Sequence, residues 1–337
     1  MKRYGKLLTE ETVTLEFCEN AITEAAKGKK KREKVDHILR NKSLYAYKIQ
    51  YMLLHNTFEP HPYGEEIRME KGKERHLQKP TFYPDEVIHH ALIMLVRDIL
   101  LKRMDYYACA SIPDRGQNRA INAIKHWVQE YTENTKYVLK CDIRKCFENI
   151  KPEMVITEFK KFIKDKRWLS VFEKIINSTD SLPLGNYMSA WILNIILKPL
   201  DYAMRDNECT SHYVRYMDDF CIFSSDSKSL LALLPKIEEI LGSMQLGLKG
   251  NYQIYNVEKQ GVDMVGFRFF PKTVLPRRRN LYALYGKLHR DLLNPHVCRS
   301  ILTRMGQLHY ADSDTIFNQI TSAINLKDTR RIARKEG

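Results

Sequence analysis

The chain has 337 residues, 44% of them hydrophobic, which is enough to bury a sizeable core and too much for one small one. Lysine plus arginine number 55 against 41 aspartate plus glutamate, and the net charge of +14 points to a polyanionic partner, nucleic acid or an acidic membrane. No run approaches the ~20 apolar residues of a membrane helix, residues 1–14 hold no apolar secretory stretch, and the seven cysteines lack zinc spacing, so a soluble cytoplasmic protein with free thiols is expected.

In chain order, residues 9–26 show helical periodicity, and the N-terminal third as a whole reads mainly as helix. A cationic run follows, Lys27-Gly28-Lys29-Lys30-Lys31-Arg32, which is either a solvated face or a nucleic-acid contact. Residues 65–70 and 74–79 read as two strands around a hairpin turn at Lys71-Gly72-Lys73. Helices are expected over 84–103, with Pro84 and Asp85 at its start, and over 115–131. The β-rich run Tyr137-Val138-Leu139-Lys140-Cys141 ends at Asp142, and helices follow over 153–164 and 189–205. Residues 213–216 and 220–223 form a hairpin pattern joined by Met217-Asp218-Asp219. A helix over 229–243 and a strand over 262–270 complete a β-α-α-β-β-α-β order, a sheet with helices packed on it. Residues 271–337 hold 13 Lys/Arg and 5 Asp/Glu, net +8, and read as helices beyond Arg277-Arg278-Arg279.

Apolar strands that end in carboxylates are the most informative feature. Asp142 closes one strand and Asp218-Asp219 sit at the tip of a hairpin flanked by Tyr, Val, Phe, Cys and Ile. A solvated Asp-rich turn is the bland alternative. Like charges gathered on one sheet need a cation. Two Mg²⁺ ions ~4 Å apart, with Mn²⁺ as a substitute, would satisfy oxygen ligands and support in-line attack by a primer 3′-oxygen. Lys73 and Arg75 lie two apart on a strand, hence on one face, and suit a triphosphate, or else keep a hairpin edge charged. The adjacent His89 and His90 point in different directions and read as packed residues, Cys141 and Cys146 carry no sign of thiol chemistry, and the three tryptophans read as core.

The ordered motifs Asp142-Ile143-Arg144-Lys145-Cys146-Phe147, Leu182-Pro183-Leu184-Gly185-Asn186-Tyr187-Met188-Ser189, Tyr216-Met217-Asp218-Asp219 and Met264-Val265-Gly266-Phe267 resemble motifs A, B, C and E of the reverse transcriptases. Gly72-Lys73-x-Arg75, residues 84–92, Tyr107-Ala108-Cys109 and Arg115-Gly116 look like the fingers motifs, and residues 306–313 look like a thumb segment. Leu184-Gly185-x-x-x-Ser189 is similar to the form in diversity-generating retroelements and related antiphage-defence enzymes of prokaryotes, although Ala190 stands where the former group usually has Gln. Lys249 is offered for motif D in an irregular register.

The resemblance implies an α+β right-hand polymerase fold: N-terminal helices and fingers over 1–135, an antiparallel palm over 136–270 and a basic helical thumb over 271–337. It implies an RNA-directed DNA polymerase acting on a dedicated structured RNA, a DNA or RNA primer and dNTPs, with an accessory protein and no membrane, in a retroelement or antiphage-defence setting. An RNA-binding maturase-like scaffold and an RNA-templated RNA polymerase are the alternatives. In that pattern Asp142, Asp218 and Asp219 are catalytic, and the same three with the Ile143 backbone hold metal. Lys73, Arg75, Arg115, Gly185 and Ser189 bind the dNTP, with Phe147 as the ring that excludes a 2′-hydroxyl, and Val265, Gly266 and Phe267 grip the primer. Arg277, Arg278, Arg279, Arg290 and Arg304, with part of the 29–34 run, are expected on the nucleic-acid backbone. With this fold filling 337 residues, nuclease or integrase functions are expected to come from other proteins.

Overall fold

The structure, a computed structural model, describes residues 2–70 and 73–334. From the N terminus run helices α1 (Leu15–Ala25), α2 (Glu33–Arg40) and α3 (Lys42–Leu54), the hairpin β1 (Gly64–Glu70) and β2 (Lys73–Lys79), and helices α4 (Val87–Leu101) and α5 (Gly116–Glu130). Strand β3 (Tyr137–Asp142) precedes α6 (Cys146–Asn149), α7 (Pro152–Lys160), α8 (Lys166–Ile176), α9 (Tyr187–Ile196) and α10 (Lys198–Arg205). Then come β4 (His212–Tyr216), β5 (Asp219–Ser224), α11 (Ser227–Ala232), α12 (Leu234–Ser243), β6 (Gln253–Asn256) and α13 (Val257–Gln260). Strands β7 (Val262–Met264), β8 (Phe267–Phe269) and β9 (Val274–Pro276) lead to α14 (Arg278–Leu288), α15 (Pro295–Leu308), α16 (Asp314–Ala323) and α17 (Leu326–Ala333). This is a mixed architecture with antiparallel sheets, as the α+β expectation requires. Among the described residues no helix is long and apolar enough to cross a membrane.

The chain divides into two compact units, each discontinuous in sequence. The first takes residues up to Ser111, Ile143–Ala203 and Lys236–Lys249. Its centre is α4, apolar nearly all round and therefore buried between α1 and α9. His89 and His90 go inside with it, and burial pushes their imidazoles down to about 4 and about 3, so both stay neutral at ordinary pH. His90 stacks on Tyr187 with centroids 3.7 Å apart, which bears out the packed reading. Asp165 caps α8 by accepting from the Trp168 N–H at 2.9 Å and also accepts from the Leu7 and Leu8 N–H groups, pinning the N-terminal segment.

Helix boundaries differ from the periodicity where prolines and caps intervene. Thr14 accepts from the Phe17 N–H, so α1 starts at Leu15 rather than at residue 9. The helix expected over 189–205 breaks at Leu197, because Pro199 has no N–H to continue the ladder and opens α10 instead. Pro235 divides α11 from α12 in the same way. Helix α8 was not expected from periodicity at all.

The second unit takes Ile112–Asp142, Met204–Pro235 and the chain from Gly250 onward. Its main sheet has the order β4-β5-β3-β6, every neighbour antiparallel. Helix α5 packs on β4, where Trp127 stacks on His212 at 4.7 Å, and α11 packs along β3, β5 and β6. A smaller sheet, β7-β8-β9, replaces the single strand expected over 262–270. The chain reverses at Val265-Gly266, whose φ angles of 46° and 95° are both left-handed, as a two-residue hairpin turn demands. The C-terminal helices close on Leu284, Val297, Ile301, Met305, Ile320 and Ile324.

Candidate active site

The register of the main sheet decides which side chains meet. Asp142 at the end of β3 stands directly opposite Asp219 at the start of β5, and Asp219 stands opposite Tyr216 on β4. Directly opposed residues project from the same face, so Asp142, Asp219 and Tyr216 share one. The β4–β5 turn therefore contains only Met217 and Asp218, and Asp219 belongs to the strand rather than to the turn. All three aspartates are half-buried at the rim, while Cys141, Phe220, Cys221 and Val214 behind them are fully buried. Behind the rim β5 is buried without a break and β4 through its middle, so the carboxylates stand where the buried part of the sheet ends.

Met217 takes φ 59°, the hand that primed hairpin turns need at their first central position and that glycine or asparagine usually supplies. Its carbonyl accepts from Arg215 Nη1 at 2.9 Å. Arg215 is 0% exposed, and its contribution could not be read from the sequence because an arginine between valine and tyrosine resembles an ordinary outward strand position. One pleat behind Asp219 lies a polar layer. Lys140 donates to the Asp263 carbonyl at 2.5 Å, and Arg277 forms an ion pair with the Asp263 carboxylate. Burial pushes the Cys221 thiol in this layer up to about 12, with Asp219 and Asp263 adding to the rise and Lys140 and Arg277 opposing it. Burial likewise raises Cys141, so neither thiol offers a thiolate.

The donor set fits a hard divalent cation. Asp142 and Asp219 are aligned by register, and Asp218 stands next to Asp219 in the turn that leads into β5. Among the described residues no group of three His, Cys, Asp or Glu side chains converges into a ready-made metal cluster. Mg²⁺ does not require one, since it is usually held by one or two carboxylates with waters and substrate phosphates completing the shell. Ile143 is buried and pairs in a bridge with Leu248, while the Arg144 N–H donates to the Gly247 carbonyl at 2.8 Å.

The first unit carries most of the residues expected around a nucleotide. Phe147 lies half-buried on α6, after Lys145 at φ 47°. Arg75 is exposed on β2, whereas Gly72 and the side chain of Lys73 lie outside the described residues. Strand β2 joins the Leu182–Gly185 loop through the Gln78 N–H, which donates to the Leu184 carbonyl at 2.9 Å. Gly185 has φ 97°, and a Cβ there would meet Leu77 at an ordinary 3.6 Å, so the backbone angle rather than crowding asks for glycine. Ser189 does not start the following helix: Asn186 caps α9, and Ser189 is its third residue, 2% exposed, donating to the Pro183 carbonyl at 2.6 Å. Its hydroxyl shapes the loop and is turned away from solvent.

In the second unit Arg115 is half-buried at the N-terminal end of α5. The Val265-Gly266 turn is held from outside. Gln117 Nε2 donates to the Val265 carbonyl at 2.7 Å, and the Gly266 carbonyl accepts from the Arg277 N–H at 3.0 Å and Asn280 Nδ2 at 3.3 Å. Phe267 is 2% exposed and packs near Tyr310, leaving the turn itself as the accessible part. Arg278, Arg279 and Arg290 are exposed. Arg277 is not a free backbone contact, because its guanidinium is spent on Asp263. Arg304 is half-buried beside Gly266, Phe267 and Asn280, and among the described residues its Nε has no hydrogen-bond partner. Lys29 is likewise spent internally, on Glu86 and the Ala25 carbonyl.

Residues 87–269, more than half of the chain, match the family described as reverse transcriptase (RNA-dependent DNA polymerase). The putative COX1/OXI3 intron 2 protein of Saccharomyces cerevisiae (strain ATCC 204508 / S288c) is 25% identical over 129 residues, 35% of this chain and 15% of that protein. The structure of telomerase from Candida albicans, in complex with a TWJ fragment of telomeric RNA, aligns over 86% of this chain and 59% of that one, at 12% identity and a TM-score of 0.48. The chain thus spans less than two thirds of the length of either protein.

Proposed function

The chain belongs to the reverse transcriptase (RNA-dependent DNA polymerase) family, and from that premise we propose that it copies an RNA template into DNA by nucleotidyl transfer from dNTPs to a primer 3′ end. One observation carries the reading: the β3–β5 register sets Asp142 against Asp219, with Asp218 in the turn immediately before it. In the reaction the primer 3′-oxygen bonds to the α-phosphorus of the dNTP, pyrophosphate departs, and the hydroxyl proton is lost to solvent.

Asp142 and Asp218, with Asp219 beside them, would hold divalent cations, two Mg²⁺ or Mn²⁺ in the assignment we favour. Bound there, the ions would supply Lewis acidity to the attacking oxygen and the leaving pyrophosphate. The chain's own contribution is placement. Fully buried neighbours fix the carboxylates on a stiff sheet, which keeps them oriented without reorganisation during reaction. Lys73, Arg75 and Arg115 are assigned to the triphosphate, the Gly185 loop to the nascent base pair with Ser189 acting through Pro183, and the Val265–Gly266 turn to the primer. Phe147 is assigned to the sugar. A ring there cannot yield volume to a 2′-hydroxyl, so Phe147→Ala should raise the ratio of NTP to dNTP incorporation, and an unchanged ratio would return it to packing. Fingers over 1–135, palm over 136–270 and thumb over 271–337 are the functional division we assign.

The motif B form Leu184-Gly185-x-x-x-Ser189 supports a retroelement or antiphage-defence role with a dedicated structured RNA and an accessory protein, and Ala190 weighs against adenine-directed mutagenesis. The basic N- and C-terminal segments also suit a maturase-like RNA-binding scaffold. Extension of a DNA primer on an RNA template, first with dNTPs and then with NTPs, separates the readings. Extension with dNTPs alone supports reverse transcription, extension with NTPs an RNA polymerase, and RNA binding without extension a scaffold.

A further inference from the structure

Helix α3 is apolar on two faces. Ala46, Ile49 and Leu53 turn inward and are buried. On the other side Leu44, Tyr47 and Tyr51, at i, i+3 and i+7, are 57%, 60% and 49% exposed. The solvent face of a surface helix ordinarily carries charged and polar residues, so a contiguous stripe of this kind marks an interaction surface. The stripe continues into exposed His55, whose ring lies 4.3 Å from that of Tyr51, and exposed Lys48 flanks it.

The charge beside the stripe selects the occupant. Residues 27–48 hold nine Lys/Arg and two Asp/Glu, a net +7 and half of the chain's +14. Lys30, Lys31, Arg32 and Lys34 are all exposed, and none of the four forms an ion pair among the described residues. A second copy of this chain would bring another +7 to the contact and be repelled, whereas a polyanion is attracted. Tyr47 and Tyr51 are one helical turn apart, ~6 Å along the axis, which lets each ring take a separate base. Duplex RNA keeps its bases stacked inside and offers such rings nothing, while unpaired RNA offers them directly.

We propose that the segment 27–55 is a docking site for unpaired RNA, with Tyr47 and Tyr51 stacking on bases and Lys30, Lys31, Arg32 and Lys34 holding phosphates. The site lies outside residues 87–269, the part matched to the family, and it does not depend on catalysis. The test uses the full chain and a fluorescein-labelled, unstructured 20-nucleotide RNA, followed by anisotropy and by ultraviolet crosslinking with peptide mapping. Saturating unlabelled primer–template duplex is present throughout, so that polymerase contacts are occupied.

The expected result is crosslinking to the peptide containing Tyr47 and Tyr51, with Tyr47→Ala/Tyr51→Ala weakening RNA binding at least about tenfold and Tyr47→Phe/Tyr51→Phe retaining it. Replacing Lys30, Lys31, Arg32 and Lys34 with Gln should flatten the log–log salt slope by about 0.7 for every phosphate no longer neutralised. Both tyrosines are exposed, so circular dichroism of the variants should match wild type. Unchanged affinity with no crosslink in this segment would overturn the proposal, and so would an equal loss for a labelled duplex RNA titrated without the competitor. Unchanged RNA binding with a variant-sensitive dimer in sedimentation would overturn it in favour of self-association. If wild-type protein binds the RNA here yet extends no primer, the polymerase reading fails and this one stands.

Discussion

Two hairpin turns in the second unit pose the same backbone problem and solve it differently. At Met217-Asp218 and at Val265-Gly266 the chain reverses in two residues, and at both the first central residue is a side-chain-bearing one held at positive φ. Such conformations cost on the order of 1–3 kcal/mol each and persist only where the surroundings over-determine them. At the first turn the support is one buried cation, Arg215, reaching the Met217 carbonyl from within the sheet. At the second it is a ring of neutral donors, Gln117, Asn280 and the Arg277 N–H, arriving from α5 and α14. The contrast fits the proposed tasks. A turn that must present Asp218 benefits from a positive charge behind it, and a turn proposed to lie along a primer benefits from amide donors that leave its outer surface uncharged.

The largest effects belong to the carboxylates at the first turn. Asp142→Asn or Asp218→Asn should abolish primer extension while leaving folding and RNA binding nearly intact, because each swap removes a charge without opening a cavity. Near wild-type extension by either variant with Mg²⁺ would refute the carboxylate assignment. Arg215→Met should come next. It removes a charged donor from a part-buried carbonyl, costing roughly 1.5–3 kcal/mol of stability. If the turn then shifts by about 1 Å, a rate loss of about 100-fold is expected. Raising Mg²⁺ should recover part of that activity if Arg215 acts by positioning Asp218, and Arg215→Lys should restore more than Met does. A variant whose loss tracks only the unfolded fraction would reduce Arg215 to a core residue.

How far these two turns could be read in advance differs for physical reasons. The first was legible because two β-prone runs flank a short acidic break, and only the membership of Asp219 was misread, since period-2 alternation cannot say which residue of Met217-Asp218-Asp219 joins the strand. The second was invisible as a turn. Residues 262–270 are almost continuously β-prone, and a valine before Gly266 reads as strand because β-branched residues avoid positive φ. Only tertiary donors such as Gln117, distant in sequence, make the reversal tolerable. Arg277 shows the same limit: charge counting placed it with its neighbours Arg278 and Arg279, but its partner Asp263 lies 14 residues earlier.

A smaller effect is expected at the second turn. Gln117→Ala leaves the Val265 carbonyl without its side-chain donor and should cost about 1 kcal/mol in a denaturant midpoint. Products should shorten because the primer would be held less firmly, while single-nucleotide addition at saturating primer changes little. Shortened products with no change in affinity for duplex would point away from a primer contact and toward the template path.

The smallest effect separates backbone strain from side-chain packing at both turns. Glycine relieves the cost of positive φ but loses ~0.5–1 kcal/mol to the freedom of the unfolded chain. Val265 is β-branched, so its strain is the greater, and Val265→Gly should be neutral or stabilising by up to about 1 kcal/mol. Met217 is unbranched and gains less, so Met217→Gly should be neutral in stability yet slower in extension, because a freer turn holds Asp218 less firmly. Denaturant midpoints and single-turnover rates for the pair decide the matter. If Val265→Gly loses more than ~1 kcal/mol, its half-buried side chain rather than its backbone sets that turn. If Met217→Gly extends at the wild-type rate, the Arg215 donor alone holds the catalytic turn in place.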